Sequence, residues 1–262
     1  LAIPGERQTV HIYSSTQHPS EVQTKVAQVL GWQRHQVVVE VPRMGGAFGG
    51  KESQAAHFAA LAALAAWHSR RPVKVRLTRD DDMVMTGKRH DFRVDWRVGF
   101  DDDGRIGGLD VALSARCGYS VDLSPAIVDR AVFHVDNAYF LPAARIVARH
   151  CRTNTVSNTA FRGFGGPQGM LAIERVMDAI AHALGRDPLD VRRANLYGDA
   201  GRDVTPYGQT VEDGLLPEIV DDLERSSDYR TRRAAVAAFN RTSPVIKRGL
   251  SLTPVKFGIS FT

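Results

Sequence analysis

The spacing of hydrophobic positions changes several times along the chain, and each change marks an element. Residues 10–15 alternate apolar and polar, as a half-buried strand does. From Pro19 onward Val22, Val26, Val29 and Leu30 recur at three- and four-residue spacing, which predicts an amphipathic helix that opens on a proline and closes at Gly31. Residues 36–41 are β-branched between polar neighbours, the pattern of a buried strand, and 54–68 are so rich in Ala and Leu that they predict a helix apolar on most sides and buried. Residues 73–77 predict a further strand, and Asp80-Asp81-Asp82 the start of a short helix. Phe92, Val94, Trp96, Val98 and Phe100 alternate strictly with polar residues. After a turn at 101–104, Leu109, Val111 and Leu113 resume the alternation, so the pair predicts a β-hairpin with one buried face and a solvated acidic turn.

Farther on, 139–152 predict a long strand and 168–184 a helix ended by Gly185. Asp187-Pro188 opens another helix through Leu196. Residues 199–209, rich in Gly, Asp and Pro, form a loop or linker. Two helices with charged faces follow at about 217–224 and 229–240, and 250–262 read as a final strand. Strand, helix and hairpin signals mix without regular alternation, so the fold class is α+β, a mixed α/β architecture. The linker suggests one region over 1–198 and the start of a second over 199–262.

Composition narrows the functional classes. With 262 residues and 43% hydrophobic content the chain can bury a sizeable core. The net charge of +5 is spread among 34 basic and 29 acidic residues with no run of five like charges, which argues against nucleic acid as a partner while leaving a basic surface able to steer a small anion. The two cysteines, Cys117 and Cys151, form no C-x-x-C pair and fit a reduced, cytoplasmic compartment. Nine histidines show no H-E-x-x-H spacing, against a protein-ligated zinc. No apolar run reaches membrane-spanning length. The first residues carry neither Met nor a signal-peptide pattern and the last stop within a strand-like run, so the expectation is a piece of a longer protein.

The candidate chemistry centres on residues 42–53, where Gly45, Gly46, Gly49 and Gly50 precede Lys51-Glu52 between a predicted strand and helix. Glycines adopt φ > 0 and let the backbone approach a ligand, while the helix N-terminus offers unpaired N–H groups, so an anionic or oxo-bearing ligand fits. Thr159-Ala-Phe-Arg-Gly-Phe-Gly-Gly-Pro-Gln168 repeats the idea, since 47–50 and 163–166 are near-copies with one Phe among glycines at a helix entrance. One such loop is more simply a tight turn; two, each with a flanking charge, predict loops facing each other across a shared pocket. At a third strand-to-helix junction Gln17 is either a plain cap or a neutral amide donating to an oxo group. Arg130, among apolar neighbours, needs an acceptor if buried, and both a salt bridge to Asp129 and a substrate role remain open. The spacing from Gly45 to Gly50-Lys51 also approaches a phosphate-cradling P-loop, but Glu52 stands where Ser or Thr would be needed for Mg²⁺ and would repel phosphates, so a nucleotide site is only an alternative.

Gly-Gly-Ala-Phe-Gly-Gly-Lys-Glu at 45–52, Ser-Ser-Thr-Gln-His at 14–18, Thr-Gly-Lys-Arg-His-Asp-Phe at 86–92, Asp-Arg-Ala-Val-Phe-His at 129–134, Ser-Asn-Thr-Ala-Phe-Arg-Gly-Phe-Gly-Gly-Pro-Gln at 157–168 and Lys-Phe-Gly-Ile-Ser-Phe-Thr at 256–262 together closely resemble the xanthine dehydrogenase / xanthine oxidase family, in the first part of its molybdopterin-binding region. Ala47 is a departure, since many members have Gly there. The resemblance implies a molybdopterin cofactor and hydroxylation of a purine, xanthine or hypoxanthine, with electrons leaving through 2Fe–2S clusters and FAD held elsewhere. It implies partners in the rest of the molybdenum subunit and an iron–sulfur/FAD subunit, in a dimer or heterotetramer, with an aldehyde oxidase-type enzyme as the alternative. The family's roles would place Gln17, Gly46, Ala47, Phe48, Gly49, Arg162 and Gly163 around the cofactor, with Gln17, Phe48 and Arg162 near the molybdenum without ligating it. Phe164 and Phe261 would sandwich the purine, an interaction of roughly 1–3 kcal/mol per stacked base. Glu52 and Arg130 would be the catalytic contacts at the two ends of the ring, and Thr262 would add a hydrogen bond. The family's general base, a glutamate, belongs to a later segment.

Overall fold

The computed structural model describes residues 1–198, 201–212 and 214–258. The chain folds as two units, one of Leu1–Phe92, Ala115–Val128 and His150–Phe164, the other of Arg93–Ser114, Asp129–Arg149 and Gly165–Thr262.

In the first unit β1 (Ala2–Pro4), β2 (Val10–Tyr13) and β3 (Val37–Glu40) form a sheet in that order, with β2 antiparallel to β1 and parallel to β3. A parallel pair requires a crossover, and α1 (Pro19–Leu30) supplies it. It ends where Gly31 takes φ 69° and its N–H turns back to the Ala27 and Gln28 carbonyls. Val22 and Val26 of α1 join Val10, Ile12 and Val37 of the sheet in one core. The helix α2 (Gln54–Ser69) closes that core with Ala56, Ala59, Ala60, Ala63 and Ala66. It is not buried all round, because its small residues make the packed stripe and leave Leu61 56% and Leu64 37% exposed. The strand expected at 73–77 reduces to one bridge, Val73 to Ala2, since the three-residue β1 offers no more edge. The acidic start at 80–82 lies in α3 (Arg79–Met85), whose cap Thr78 accepts from the Asp81 N–H.

The three strands β4 (Phe92–Phe100), β5 (Ile106–Gly118) and β6 (Ala144–Arg152) form a second sheet in that order. The acidic turn is tied by Asp101, whose carboxylate accepts the N–H groups of Asp103 at 3.0 Å and Arg105 at 2.9 Å. Leu109, Val111 and Leu113 of β5 are buried as expected, whereas Trp96 and Phe100 of β4 remain 37% and 38% exposed, so only one strand of the hairpin has a buried face. The strand predicted from 139 begins only at 144, because Tyr139 is drawn into the core and Phe140 donates its N–H to the Asn195 carbonyl. The segment around Arg130 forms α4 (Ser124–Val132), and its apolar residues Ile127, Val128 and Ala131 are buried.

In the second unit Ile173, Val176, Met177 and Ile180 line the buried face of α5 (Gly166–Leu184), which ends at Gly185 with φ 64°. Gly169 lets this helix come close, since a Cβ there would stand 2.2 Å from the Ala131 carbonyl oxygen. Asp187 caps α6 (Pro188–Asn195) by accepting the Leu189 N–H, and α7 (Leu216–Ser226) and α8 (Tyr229–Thr242) follow. The final segment forms no strand through Gly258. Pro254 has no N–H to give a ladder, and the Asn137 side chain takes the backbone bonds of 254 and 256 instead. Phe261 and Thr262 lie outside the described residues.

Candidate functional site

Two strand-to-helix junctions of the first unit and its 159–164 loop are tied together by hydrogen bonds that involve backbone groups. The Gln17 N–H at 3.2 Å and the Thr16 hydroxyl at 2.7 Å both donate to the Lys51 carbonyl, which docks the entrance of α1 on the entrance of α2. The loop between β3 and α2 turns through Gly46 with φ 123°, Gly49 with 89° and Gly50 with 83°. Gly45 is different: it has no positive φ and a Cβ there would meet open space. Gly49 forms an antiparallel bridge with Phe161, and a Cβ at Gly49 would lie 2.7 Å from the Phe161 Cα and 2.8 Å from the Ala160 oxygen. The two glycine loops therefore meet backbone to backbone through Gly49 and Phe161, where their similarity predicted loops facing each other across a shared pocket.

The second loop turns through Gly163 with φ 90° and Phe164 with φ 47°, and the Phe164 N–H donates to the Phe161 carbonyl at 2.7 Å. The Arg162 guanidinium stands 5.7 Å above the ring of Phe48. Beneath this turn lies Arg89, a residue within the 86–92 motif to which the sequence alone gave no role. Its Nη2 donates to the Arg162 carbonyl at 2.6 Å and its guanidinium stands 5.0 Å over Phe161. The cue was a cation in a quoted motif; its partners are more than 70 positions away, so spacing could not show them.

Two buried acceptor atoms on these loops, Gln17 Oε1 and Glu52 Oε2, have no partner among the described residues. Orphaned buried acceptors are costly, so each marks a place where a ligand group would complete the structure. The side chains at the entrance of α2 bind a carboxylate: Ser53 Oγ at 2.6 Å and Gln54 Nε2 at 3.1 Å donate to Asp122. Lys51 Nζ turns back to the Gly46 carbonyl at 3.4 Å. With an acidic side chain beside that helix end and the lysine folded onto its own loop, the arrangement is not a phosphate cradle, and the nucleotide alternative falls.

A cavity of about 650 Å³ opens beside the bridge, lined by Gly49, Gly50, Lys51, Phe58, Val75 and Phe161 among others. Gly49 is the predicted site residue among its walls, whereas Gln17, Glu52, Phe48, Arg162 and Phe164 do not line it. His90 is 2% exposed with Nε2 2.7 Å from Ser124 Oγ, and burial pushes it below the ordinary 6.5, so it is a neutral structural group at pH 7.

Of the residues singled out, Gln17, Gly46, Ala47, Phe48, Gly49, Glu52, Arg162, Gly163 and Phe164 belong to the first unit. Arg130, in the last turn of α4 and 5% exposed, belongs to the second, where its guanidinium stands 4.7 Å over the Phe257 ring. Among the described residues no group of His, Cys, Asp and Glu could hold a metal ion, and no helix is long and apolar enough to cross a membrane.

The first unit thus brings together bridged glycine loops, exposed aromatics, a neutral amide and buried acceptors without a partner among the described residues. The chain belongs to the molybdopterin cofactor-binding domain family, whose pattern matches residues 1–196. It is 44% identical over 262 residues to a xanthine dehydrogenase of Dictyostelium discoideum, covering all of this chain and 19% of that protein. Over 263 residues it is 42% identical to a nicotinate hydroxylase of Emericella nidulans, again covering all of this chain and 19% of the relative. The aldehyde oxidoreductase from Desulfovibrio gigas shares the fold with a TM-score of 0.78 and 30% identity, over 93% of this chain and 26% of that one. The chain thus spans about a fifth of the length of the curated relatives it matches.

Proposed function

We propose that this chain holds the molybdenum cofactor and part of the substrate in a molybdenum-dependent purine hydroxylase that converts hypoxanthine to xanthine and xanthine to urate. The observation that carries the reading is the pair of buried atoms Gln17 Oε1 and Glu52 Oε2, without a partner among the described residues, on loops joined by the Gln17 N–H bond to the Lys51 carbonyl. When bound, the cofactor supplies oxygen transfer and takes up two electrons; the chain's residues bind and orient. Gln17 presents a neutral amide to the cofactor's polar ligands, and a half-turn of that amide exchanges acceptor for donor. The backbone of Gly46, Ala47, Phe48 and Gly49, together with Arg162 and Gly163, would hold the cofactor, and Gln17, Phe48 and Arg162 would stand near the molybdenum without ligating it. Glu52 accepts from ring N–H groups of the purine. Arg130 meets the negative charge that grows on the ring, a role worth about 3–4 kcal/mol where comparable donors are removed. Phe164 and Phe261 stack on the ring and Thr262 adds a hydrogen bond.

Residues 1–198 are the first molybdopterin-binding region in this reading and 199–262 lead into the next. Electrons pass to 2Fe–2S clusters and FAD outside this chain, consistent with only two cysteines, both free, where a cluster needs four thiolates. The enzyme works in the cytoplasm, in purine breakdown, as a dimer or heterotetramer with its iron–sulfur/FAD partner. The Desulfovibrio gigas neighbour is consistent with the alternative, an aldehyde oxidase-type hydroxylase, without favouring it. The two separate on one pair of residues, because a substrate without ring N–H groups gives the buried Glu52 Oε2 no donor and gives Arg130 no ring on which negative charge gathers. In the enzyme that contains this chain, Glu52→Val with Arg130→Met is expected to cut kcat/KM for xanthine by about a hundredfold and to spare a bulky aromatic aldehyde. Equal losses on both would make the pair structural, and a parent enzyme that prefers aldehydes would overturn the purine assignment.

A further inference from the structure

Arg130 is held by a cluster that the motifs do not announce. One face of it is the Phe257 ring, 4.7 Å from the guanidinium carbon. The same ring stands 5.0 Å from that of His134, whose Nδ1 is 2.7 Å from the Arg130 carbonyl oxygen. Space for Phe257 depends on Gly166, where a Cβ would lie 2.9 Å from the ring. Phe257 is itself 45% exposed, so packing alone does not fix it.

What fixes it is the backbone before it. Asn137, 1% exposed and at φ 43°, donates from Nδ2 to the Pro254 carbonyl at 3.0 Å and accepts the Lys256 N–H at 3.1 Å, so one side chain grips the segment at two points. Lys256 then turns its ammonium inward to Asp136 at 3.0 Å and Tyr207 Oη at 3.1 Å, and Asp136 also accepts from Tyr197 Oη at 2.8 Å. A buried ion pair adds little net stability but admits few alternative arrangements, which suits a fastening that must set one geometry.

We propose that Phe257 and Lys256 are positioning residues: the Asn137–Lys256–Asp136 fastening seats the Phe257 ring on Arg130 and fixes the direction in which the guanidinium points. A side chain with several rotatable bonds is thereby presented in one orientation, as charge stabilisation of a reacting ring requires. The inference rests on the reading of Arg130 as the group that meets charge on the substrate. It assigns work to the Lys-Phe pair that begins the 256–262 motif.

A double-mutant cycle in the enzyme that contains this chain tests it, with xanthine kinetics and molybdenum content measured for each variant. Phe257→Leu is expected to lower kcat about tenfold with KM changed less than about twofold, Lys256→Met to behave likewise, and Phe257→Tyr, which keeps the ring face, to stay within about twofold of the parent. In an Arg130→Met background Phe257→Leu is expected to cost less than about twofold more, because the group it acts through is gone. Molybdenum content is expected to be equal throughout. If Arg130→Met is impaired and Phe257→Leu costs its full tenfold again, or Phe257→Tyr fails to rescue, the positioning role is overturned while the reading of Arg130 stands. If Arg130→Met turns over xanthine normally, that reading fails and takes this one with it.

Discussion

Phe164 sits at φ 47° directly after Gly163 at 90°, a conformation that costs an L-residue on the order of 1–2 kcal/mol relative to the right-handed region. A bulky side chain retained there, with glycine next to it, points to a use for the ring. Alanine keeps the Cβ and so keeps the backbone penalty, which makes Phe164→Ala a clean removal of the ring alone. In the enzyme that contains this chain we expect xanthine turnover to fall about tenfold, the scale of one lost stacking face, with molybdenum content near that of the parent. Collapse of the metal content would instead make Phe164 a packing element of the loop. At this scale the sequence announces residues whose type is unusual for their place, such as a Gln at a helix entrance or an Arg in an apolar run. It does not announce Arg89, because an exposed-looking cation acquires its role only when the carbonyl of Arg162 is folded against it.

At the scale of elements, the helices opened by a proline or a capping residue, α1, α5 and α6, were legible to within about two residues, and α1 and α5 stop at the expected glycines, since those signals act locally. The misread segments are those where a distant partner decides. Residues 73–77 lack an edge to pair with, Tyr139 is withdrawn from its strand by Glu174, and 250–258 give their backbone bonds to Asn137. The near-copies at 47–50 and 163–166 suggested loops facing each other across a pocket; that they touch directly was beyond pattern, because it depends on Gly49 lacking a side chain opposite Phe161. Gly49→Ala therefore tests the junction itself. Its methyl group would collide with main chain that has no rotamer to yield, at a φ of 89° that alanine also disfavours. We expect a protein with strongly reduced molybdenum content while Gly45→Ala, at an open position with ordinary φ, retains it; equal retention in both would show that the bridge is not needed to hold the cofactor.

At the scale of the second unit as a whole, one carboxylate links the core to the segment that carries Phe257. Glu174 and Asp178 are four residues apart and so share a face of α5, into which α6 sends Arg192. The Arg192 side chain is 2% exposed and donates to Glu174 at 2.8 Å and Asp178 at 2.9 Å; burial alone would lower its pKa, but these acids hold it above the ordinary value. The other oxygen of Glu174 accepts from Tyr139 Oη at 2.6 Å and from Asn137 Nδ2 at 2.9 Å, the same Asn137 that grips Pro254 and Lys256. Burial, and then the Glu174 charge, push the Tyr139 hydroxyl well above its usual range, so it stays a donor. Removing the cation leaves a carboxylate only 14% exposed with neutral donors on one oxygen alone. Breaking such a pair costs about 3 kcal/mol, more than a surface ion pair contributes. Arg192→Met in the protein that contains this chain should therefore speed hydrogen exchange of the α5 and α6 amides about a hundredfold. Because Asn137 shares Glu174, the Lys256 N–H should be released along with them. Exchange that rises in the helices and leaves Lys256 protected would mean that Asn137 holds its segment without help from the core.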